Sequence, residues 1–566
     1  MYLRKKPRKD GRTHLSIVRG YRDKEGKSKA KTVKTLGYLE ELKKQYNDPI
    51  AHFQKMVDQM NKEEQDITIT ISKDAKLEEN EDNRKFFGIV APSKIYHELE
   101  LDKFLLNKFR TAKVSGYMIN NIIKLLVFAR LLMPASKKKT YENKHKFFDD
   151  ADYSLETIYN TLSYVNRYTN DIQKHVYDHL KVQYGKNTEC VYYDVTNYYF
   201  EIDEPTDLLK KGVCKEHRPN PIVQMGLLMD SIGLPIAYKL FSGNTNDCET
   251  ILPVTRDVKR EYDLGRLIIV ADKGLNTGDN IYKISNRGDG YVMSLSIRGA
   301  NEELKSYVLE DNGYTWIGTD YKQKSKLYPR EIWITKDNGK KVKTRIDEKL
   351  VIFYSKDYDR KAKAERQPAI EKAKQLIGNV SKYNKKNCHG ASKYVKHLVF
   401  DKKSGEIIEA QSQLSLDLEK IKEEEKYDGF YAIVTSEYNK KTDEIIDIYR
   451  ELWKIEETFK ITKSDLEARP VFVKREDHIQ AHFLICYLAL VISRVLQLKL
   501  KNEYSVEQIL ETLKKLSCSY IQENQYLFDY SNKLAKKLGR ELKIDFSRKY
   551  RSLQEIKKIL GQVKKS

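Results

Sequence analysis

Cysteine is scarce and scattered in this sequence. Its six cysteines (Cys190, Cys214, Cys248, Cys388, Cys486 and Cys518) include no C-x-x-C pair, so neither a zinc module nor a disulfide framework is indicated. Long apolar runs are also missing. The longest, FLICYLALVI at 483–492, is too short to span a bilayer and reads as a buried helix. The N-terminus is basic but has no apolar stretch behind it, which gives no expectation of a secretory signal. A reducing cytoplasm and no membrane partner are the expectation. No G-x-x-x-x-G-K-[ST] loop occurs, which argues against ATP use. No internal repeat or low-complexity tract is visible.

What is abundant is positive charge. The chain has 104 Lys and Arg against 82 Asp and Glu, a formal net charge of +22 over 566 residues. That surplus favours a polyanionic partner, with nucleic acid first. The length exceeds one hydrophobic core and implies several domains. Residues 1–34 hold thirteen Lys/Arg and three Asp/Glu around Leu15, Ile17, Val18 and Tyr21. They read as a small basic β-element with a DKEG turn, a solvated basic tail being the alternative. Within 1–80, a helical pattern over 41–62 is followed by DITITIS at 66–72, which alternates like a strand, and an acidic LEENEDN then marks a boundary. Residues 81–185 are helical in period, with one helix stopped by Pro134.

From 186 the rhythm becomes βββαβαβ. VYYDVTNYYF (191–200), IVQMGLLMD (222–230) and LPIAYKLF (234–241) read as strands. A helix at 249–260, the strand RLIIVAD (266–272), a helix at 277–286 and the strand YVMSLSI (291–297) complete the run. Residues 300–428 depart from this rhythm, with hairpin signals at KDNGKK and DKKSGE, and read as an inserted, mostly-β subdomain. The strand FYAIVTS (430–436) then leads into the helical DEIIDIYRELWKIEETFKIT. The division expected is therefore 1–80, 81–185, 186–299, 300–428, 429–540 and a basic tail, 541–566.

Two strands of this run each carry one acid, Asp194 and Asp272. In a βββαβ arrangement the first and fourth strands lie side by side and parallel, which brings the two carboxylates near one another. Such acids repel unless a cation lies between them, and hard divalent ions held by oxygen ligands fill that role. An unpaired carboxylate inside an apolar strand is costly, which makes Asp194 the harder of the two to explain structurally. Asp272 taken alone could merely cap the following turn. A third acid could come from the later helix, where Glu451, Glu456 and Glu457 are candidates. Glu456 lies beside the apolar face of Leu452, Ile455 and Phe459, which turns it towards the sheet. His478 and His482 have the i, i+4 spacing of a zinc pair but lack the Glu of H-E-x-x-H, and they read as packing or capping residues. Cys388-His389 reads as a loop without partners.

These residues together resemble the DDE transposases of bacterial insertion sequences, in the branch with the Tyr-Arg-Glu-Lys signature Y-x2-R-x3-E-x6-K. Setting its Glu on Glu456 places Tyr449 seven residues before and Lys463 seven after, and Trp453-Lys454-Ile455-Glu456 is similar to the family's W-x-I-E. Leu452 stands at the Arg position, a departure, with Arg450 close by. Asp194 matches the first acid in a D-x-T context with Thr196, and Asp272 the second in an A-D-[RK]-G context. FSGNTND (241–247) is similar to the family's G-N-x-x-D turn. The resemblance covers about 186–500. It implies a ribonuclease H-like α/β core that binds two Mg²⁺ or Mn²⁺ ions at Asp194, Asp272 and Glu456. Its partner would be DNA, the ends of a mobile element and a target, bound as a homodimer. Lys215, Arg218, Tyr449, Arg450 and Lys463 would be the DNA contacts. A transposase-derived DNA-binding protein without catalysis and a metal-dependent nuclease without strand transfer are the competing readings.

Overall fold

A computed structural model describes every residue except 9, 23–27, 64–73, 75, 77, 78, 80, 112–114, 149, 150, 186, 187, 202, 203, 213–219, 379–389, 400–411, 523 and 566. The expected strand at 66–72, the turns DKEG and DKKSGE, and the Cys388-His389 pair lie outside the described residues or largely so. The chain divides into two units, one of residues 159–494 and one of residues 1–158 with 495–566.

The first unit is built on a nine-stranded mixed sheet. Five of its strands are β1 (Cys190–Tyr199), β2 (Ile222–Asp230), β3 (Pro235–Ser242), β4 (Ile268–Ala271) and β5 (Gly290–Leu295). They lie in the order β3-β2-β1-β4-β5. β1, β2 and β3 form an antiparallel meander, whereas β4 and β5 run parallel to β1. The β2–β3 turn is set by Asp230, whose carboxylate accepts from Leu234 N at 2.7 Å, and by Gly233 at φ +88°, a value glycine adopts without strain. Parallel neighbours need crossovers, and helices α1 (Asp247–Glu261) and α2 (Gly278–Asn286) supply them. Their apolar faces cover one side of the sheet. Ile251, Val254, Val258, Ile281 and Ile284 pack there with Val191, Tyr193, Val195, Ile269, Ala271 and Met293. Gly226 makes room for the buried Tyr193 ring, because a Cβ at 226 would sit 2.2 Å from its hydroxyl oxygen.

The opposite side carries α3 (Thr442–Arg450) and α4 (Trp453–Lys463). Side chains alternate along a strand, so Tyr192, Asp194, Thr196 and Tyr198 share this face. Tyr192 donates to Ile448 O at 3.1 Å, and the Tyr198 hydroxyl lies 2.7 Å from Thr462 Oγ1. These two bonds bracket Asp194 and fix α3 and α4 above it.

Residues 300–428 do not form a mostly-β subdomain apart from this sheet. They contribute β6 (Thr315–Ile317), β7 (Tyr321–Leu327) and β8 (Lys349–Ser355) to it. With β9 (Phe430–Thr435) the order continues β5-β9-β8-β7-β6, antiparallel throughout. Leu350, Val351, Ile352 and Phe353 are all buried, as a strand covered on both faces requires. The KDNGKK hairpin, Arg330–Thr335 with Lys341–Ile346, seats Ile332 and Ile334 in the core beneath β1 and β4. The remainder is mixed, with a helix at Lys356–Gly378, a strand pair Val395–Val399 and Ser412–Leu416, and a helix at Leu418–Glu425. Removing 300–428 would therefore strip three strands from the large sheet and take Ile332 and Ile334 from the core beneath β1 and β4.

Helix α5 (Glu476–Lys499) is longer than its apolar stretch suggested. It is long and apolar enough to cross a membrane, but 94% of its 18-residue apolar window is buried inside the protein. An all-round apolar surface is what a helix in a protein core needs.

The second unit begins with an antiparallel three-stranded sheet, Tyr2–Pro7, Thr13–Arg22 and Ser28–Tyr38. Leu15 packs there against Leu42 and, from the helix Pro49–Glu63, Phe53. The unit also holds the helices Val90–Glu98, Leu101–Lys108 and Gly116–Leu132, and a sheet in the order Tyr550–Ser552, Gln525–Phe528, Ser517–Tyr520, Arg84–Phe86. Residues 541–566, expected as a basic tail, include the first of those strands and a helix, Leu553–Gln562. A capping box between Ser552 and Glu555 starts the helix, satisfying its first backbone N–H groups.

Candidate active site

The strands that lead into the two acids pair in parallel. Cys190, Val191 and Tyr192 pair with Ile268, Ile269 and Val270. Continued two residues past the last pair, Tyr192 and Val270, the same register would set Asp194 beside Asp272, and side chains two apart on a strand share a face. β5 extends the row, since Val270 pairs with Val292 and Ala271 with Met293, so Ser294 comes next to Asp272. Its Oγ donates to Asp272 Oδ1 at 2.8 Å. Asp194 is half-buried and accepts from Val195 N at 2.7 Å, while Asp272 is exposed where β4 ends.

The helices complete the surroundings. Tyr449, near the end of α3, places its hydroxyl 3.5 Å from Asp272 Oδ1. Burial raises the phenol's pKa, and the charges of Asp272 and Glu456 raise it further against a lowering by Ser294. Tyr449 therefore stays neutral and able to donate across the ordinary pH range. Glu456 lies on α4 one position past the buried Ile455. Its carboxylate is exposed rather than turned onto the sheet, and it forms no hydrogen bond or ion pair among the described residues. Glu457 differs: it pairs with Arg494 at 2.8 Å. Among the described residues no three His, Cys, Asp or Glu side chains converge closely enough to share a metal ion. Asp194, Asp272 and Glu456 therefore do not converge here, although the charges of both Asp272 and Glu456 reach Tyr449.

The expected DNA contacts separate into two sets. Lys215 and Arg218 lie outside the described residues. Arg450 is exposed, with its guanidinium 4.9 Å from the Tyr321 ring centre and 5.7 Å from that of Phe353, and it pairs with Asp447 at 3.6 Å. Lys463 places its ammonium 5.8 Å from the Tyr198 ring centre. Leu452, at the signature's Arg position, is 7% exposed. A charge there would be buried, so the cation at Arg450 is the one presented to solvent. In FSGNTND, Gly243 is required by close approach, because a Cβ would lie 2.2 Å from Ile222 O and 2.3 Å from Lys210 O. The histidines of HIQAH pack and hydrogen-bond. His478 stacks on Tyr159 at 5.7 Å and its Nε2 lies 3.1 Å from Ser163 Oγ, and His482 Nε2 lies 3.1 Å from Ala468 O.

Ser294 and Arg494 are the site residues that sequence reasoning missed. The signal for Ser294 is a serine within the apolar YVMSLSI, placed where a parallel neighbour of the Asp272 strand ends. Arg494, a cation in the apolar stretch of α5, asks for an acid partner.

Residues 3–74 match the family described as IS1634 family transposase, N-terminal domain, and residues 216–492 match the Transposase DDE domain. No curated protein matches the chain. Solved structures it is similar to include a piggyBac transposase synaptic complex with hairpin DNA, at 8% identity, with 84% of each chain covered and a TM-score of 0.37. Another is a Mos1 transposase paired-end complex with the left transposon end, at 11% identity. There 44% of this chain and 68% of that chain are covered, at a TM-score of 0.14.

Proposed function

From the premise that the chain is an insertion-sequence transposase of the DDE type, as its two domain matches support, we propose that it cuts DNA at the ends of its mobile element and joins them to a target. The observation that carries the reading is the parallel pairing of the two strands that lead into Asp194 and Asp272. Tyr449 lies against Asp272 and within reach of the Glu456 charge. The strand order β3-β2-β1-β4-β5 supports a ribonuclease H-like core.

Asp194, Asp272 and Glu456 would hold two Mg²⁺ or Mn²⁺ ions. The donor set fits: all are hard carboxylate oxygens, two are exposed and the third half-buried. The side chain of Asp272 is already oriented by Ser294. When bound, such ions stabilise charge on the attacking and leaving oxygens of a phosphodiester. The chain's own groups orient. Tyr449 holds Asp272, while Arg450 and Lys463, with Lys215 and Arg218, would contact phosphates and fix the register of DNA without reading its sequence. Two copies would act on a pair of ends.

Thermal unfolding with and without Mn²⁺ tests the site apart from the chemistry. At a hundredfold excess over Kd, a ligand specific to the folded state adds about 2.7 kcal/mol. The wild-type melting temperature should therefore rise with Mn²⁺, and that of Asp272→Asn should not. Equal rises would remove Asp272 from the metal site. Nicking and joining of an end-containing duplex, followed together, separate transposition from simple nuclease action.

End recognition would fall to the basic sheet at the N-terminus. Its edge strand exposes Lys31 and Lys34. Each phosphate that a cation neutralises steepens the fall of log K with log salt by about 0.9, so Lys31→Ala with Lys34→Ala should flatten that slope by about 2. An unchanged slope in a filter-binding titration would move the DNA-binding surface elsewhere.

A further inference from the structure

We propose that Ser294 is a positioning residue for Asp272, and that the hairpin Arg330–Thr335/Lys341–Ile346 holds this arrangement through Asn276. The proposal rests on the reading of Asp272 as a metal ligand and adds residues that the family pattern does not name. Ser294 is 5% exposed and gives its hydroxyl proton to Asp272 Oδ1 at 2.8 Å. Its backbone is tied in turn, because Asn276 Nδ2 donates to Ser294 O at 2.8 Å. Arg330 then donates to Asn276 Oδ1 at 3.3 Å. Arg330 is itself fixed by an ion pair with Glu348. Glu348 is wholly buried and also accepts from the Tyr291 hydroxyl at 2.7 Å.

The loop after Asp272 is strapped at both ends. Leu275 N donates to Asp272 O at 3.0 Å, and Asn280 Nδ2 donates to Leu275 O at 2.9 Å. Asp272 itself is exposed, so nothing in a hydrophobic wall holds its carboxylate. Its orientation comes from directional hydrogen bonds, the shorter of which is from Ser294. A carboxylate ligand whose orienting donor is removed must be ordered by the ion itself, and loss of such outer partners typically weakens metal binding roughly ten- to a hundredfold.

The test uses the full chain and two readouts. Mn²⁺ affinity is read from the concentration dependence of the melting temperature, and nicking is titrated against Mn²⁺. Ser294→Ala should raise the half-saturating Mn²⁺ concentration about tenfold or more in both, with nicking restored towards wild type at saturating metal. Ser294→Thr, which keeps the hydroxyl, should titrate close to wild type. Arg330→Lys, which keeps a charge for Glu348 but loses the planar fork, should shift the midpoint in the same direction by less. Wild-type midpoints for Ser294→Ala would overturn the proposal, as would abolished nicking with unchanged Mn²⁺ dependence. Asp272→Ala run alongside tests the premise separately: normal metal response and cutting there would overturn the metal-site reading whatever Ser294 does.

Discussion

Asp194→Ala, Asp272→Ala and Glu456→Ala are each expected to lower Mg²⁺-dependent nicking of an end-containing duplex by orders of magnitude, with duplex binding retained. On the proposed reading each change would remove a ligand from ions that act on the attacking and leaving oxygens at once, so the loss would fall on chemistry. Affinity survives because phosphate neutralisation over a wider basic surface supplies most of it. The structure sharpens the expectation for Glu456. Its carboxylate is exposed and makes no ion pair or hydrogen bond among the described residues, so Glu456→Ala should melt within a degree or so of wild type, exposed sites away from special features being near neutral. Asp272→Ala loses the Ser294 hydrogen bond but also a negative charge at the end of the strand beside that of Asp194, and these effects oppose one another. Gel-based nicking assays beside melting curves separate chemistry from folding. Three variants that cut normally would place the metal site elsewhere.

The placement of the two aspartates was legible because it depends on local patterns and one topological rule. The apolar runs of β1 and β4 are short and clear. Two helices of the right length separate β3 from β4 and β4 from β5, as parallel neighbours require, and β4 takes its place beside β1. Once those strands pair, the register continued past Tyr192 and Val270 would set Asp194 against Asp272. The fate of 300–428 was not legible by the same means. Its hairpin signals give local turns, at KDNGKK for instance, but no local signal states that β8 pairs with β9, far along the chain. The continuous burial of Leu350–Phe353 was the available hint, since a strand apolar on both faces belongs inside a sheet.

Ser294 was hidden for a similar reason. A serine in a strand is unremarkable until its neighbour across the ladder is known to be Asp272. For Glu456 the helical period picked the position beside the Leu452, Ile455 and Phe459 face. It misjudged the direction, because a side chain at the edge of an apolar face can leave it for solvent.

Glu457, the adjoining acid, should behave in the opposite way to Glu456. One position along a helix is a rotation of about 100°, and that rotation carries Glu457 to Arg494 of α5. The Arg494 guanidinium donates to Glu457 Oε2 at 2.8 Å, to Thr458 Oγ1 at 2.6 Å and to Lys454 O at 3.2 Å. It is 7% exposed, and its burial lowers its pKa while the Glu457 charge opposes that shift. Glu457→Ala leaves this cation buried without its counter-charge. Breaking a buried pair from one side costs about 3–5 kcal/mol, and the partial exposure of Glu457 reduces this to about 2–3 kcal/mol. The melting temperature should fall by several degrees, while the folded fraction at low temperature should still nick DNA with a wild-type dependence on Mg²⁺. Glu457→Gln, which can still accept from Arg494, should lose less. Replacing both partners, Glu457→Leu with Arg494→Met, should recover part of the loss, because the uncompensated charge disappears with its partner. A Glu457→Ala protein that melts like wild type but does not cut, beside a Glu456→Ala protein that cuts normally, would reverse the assignment and make Glu457 the acid that faces the two aspartates.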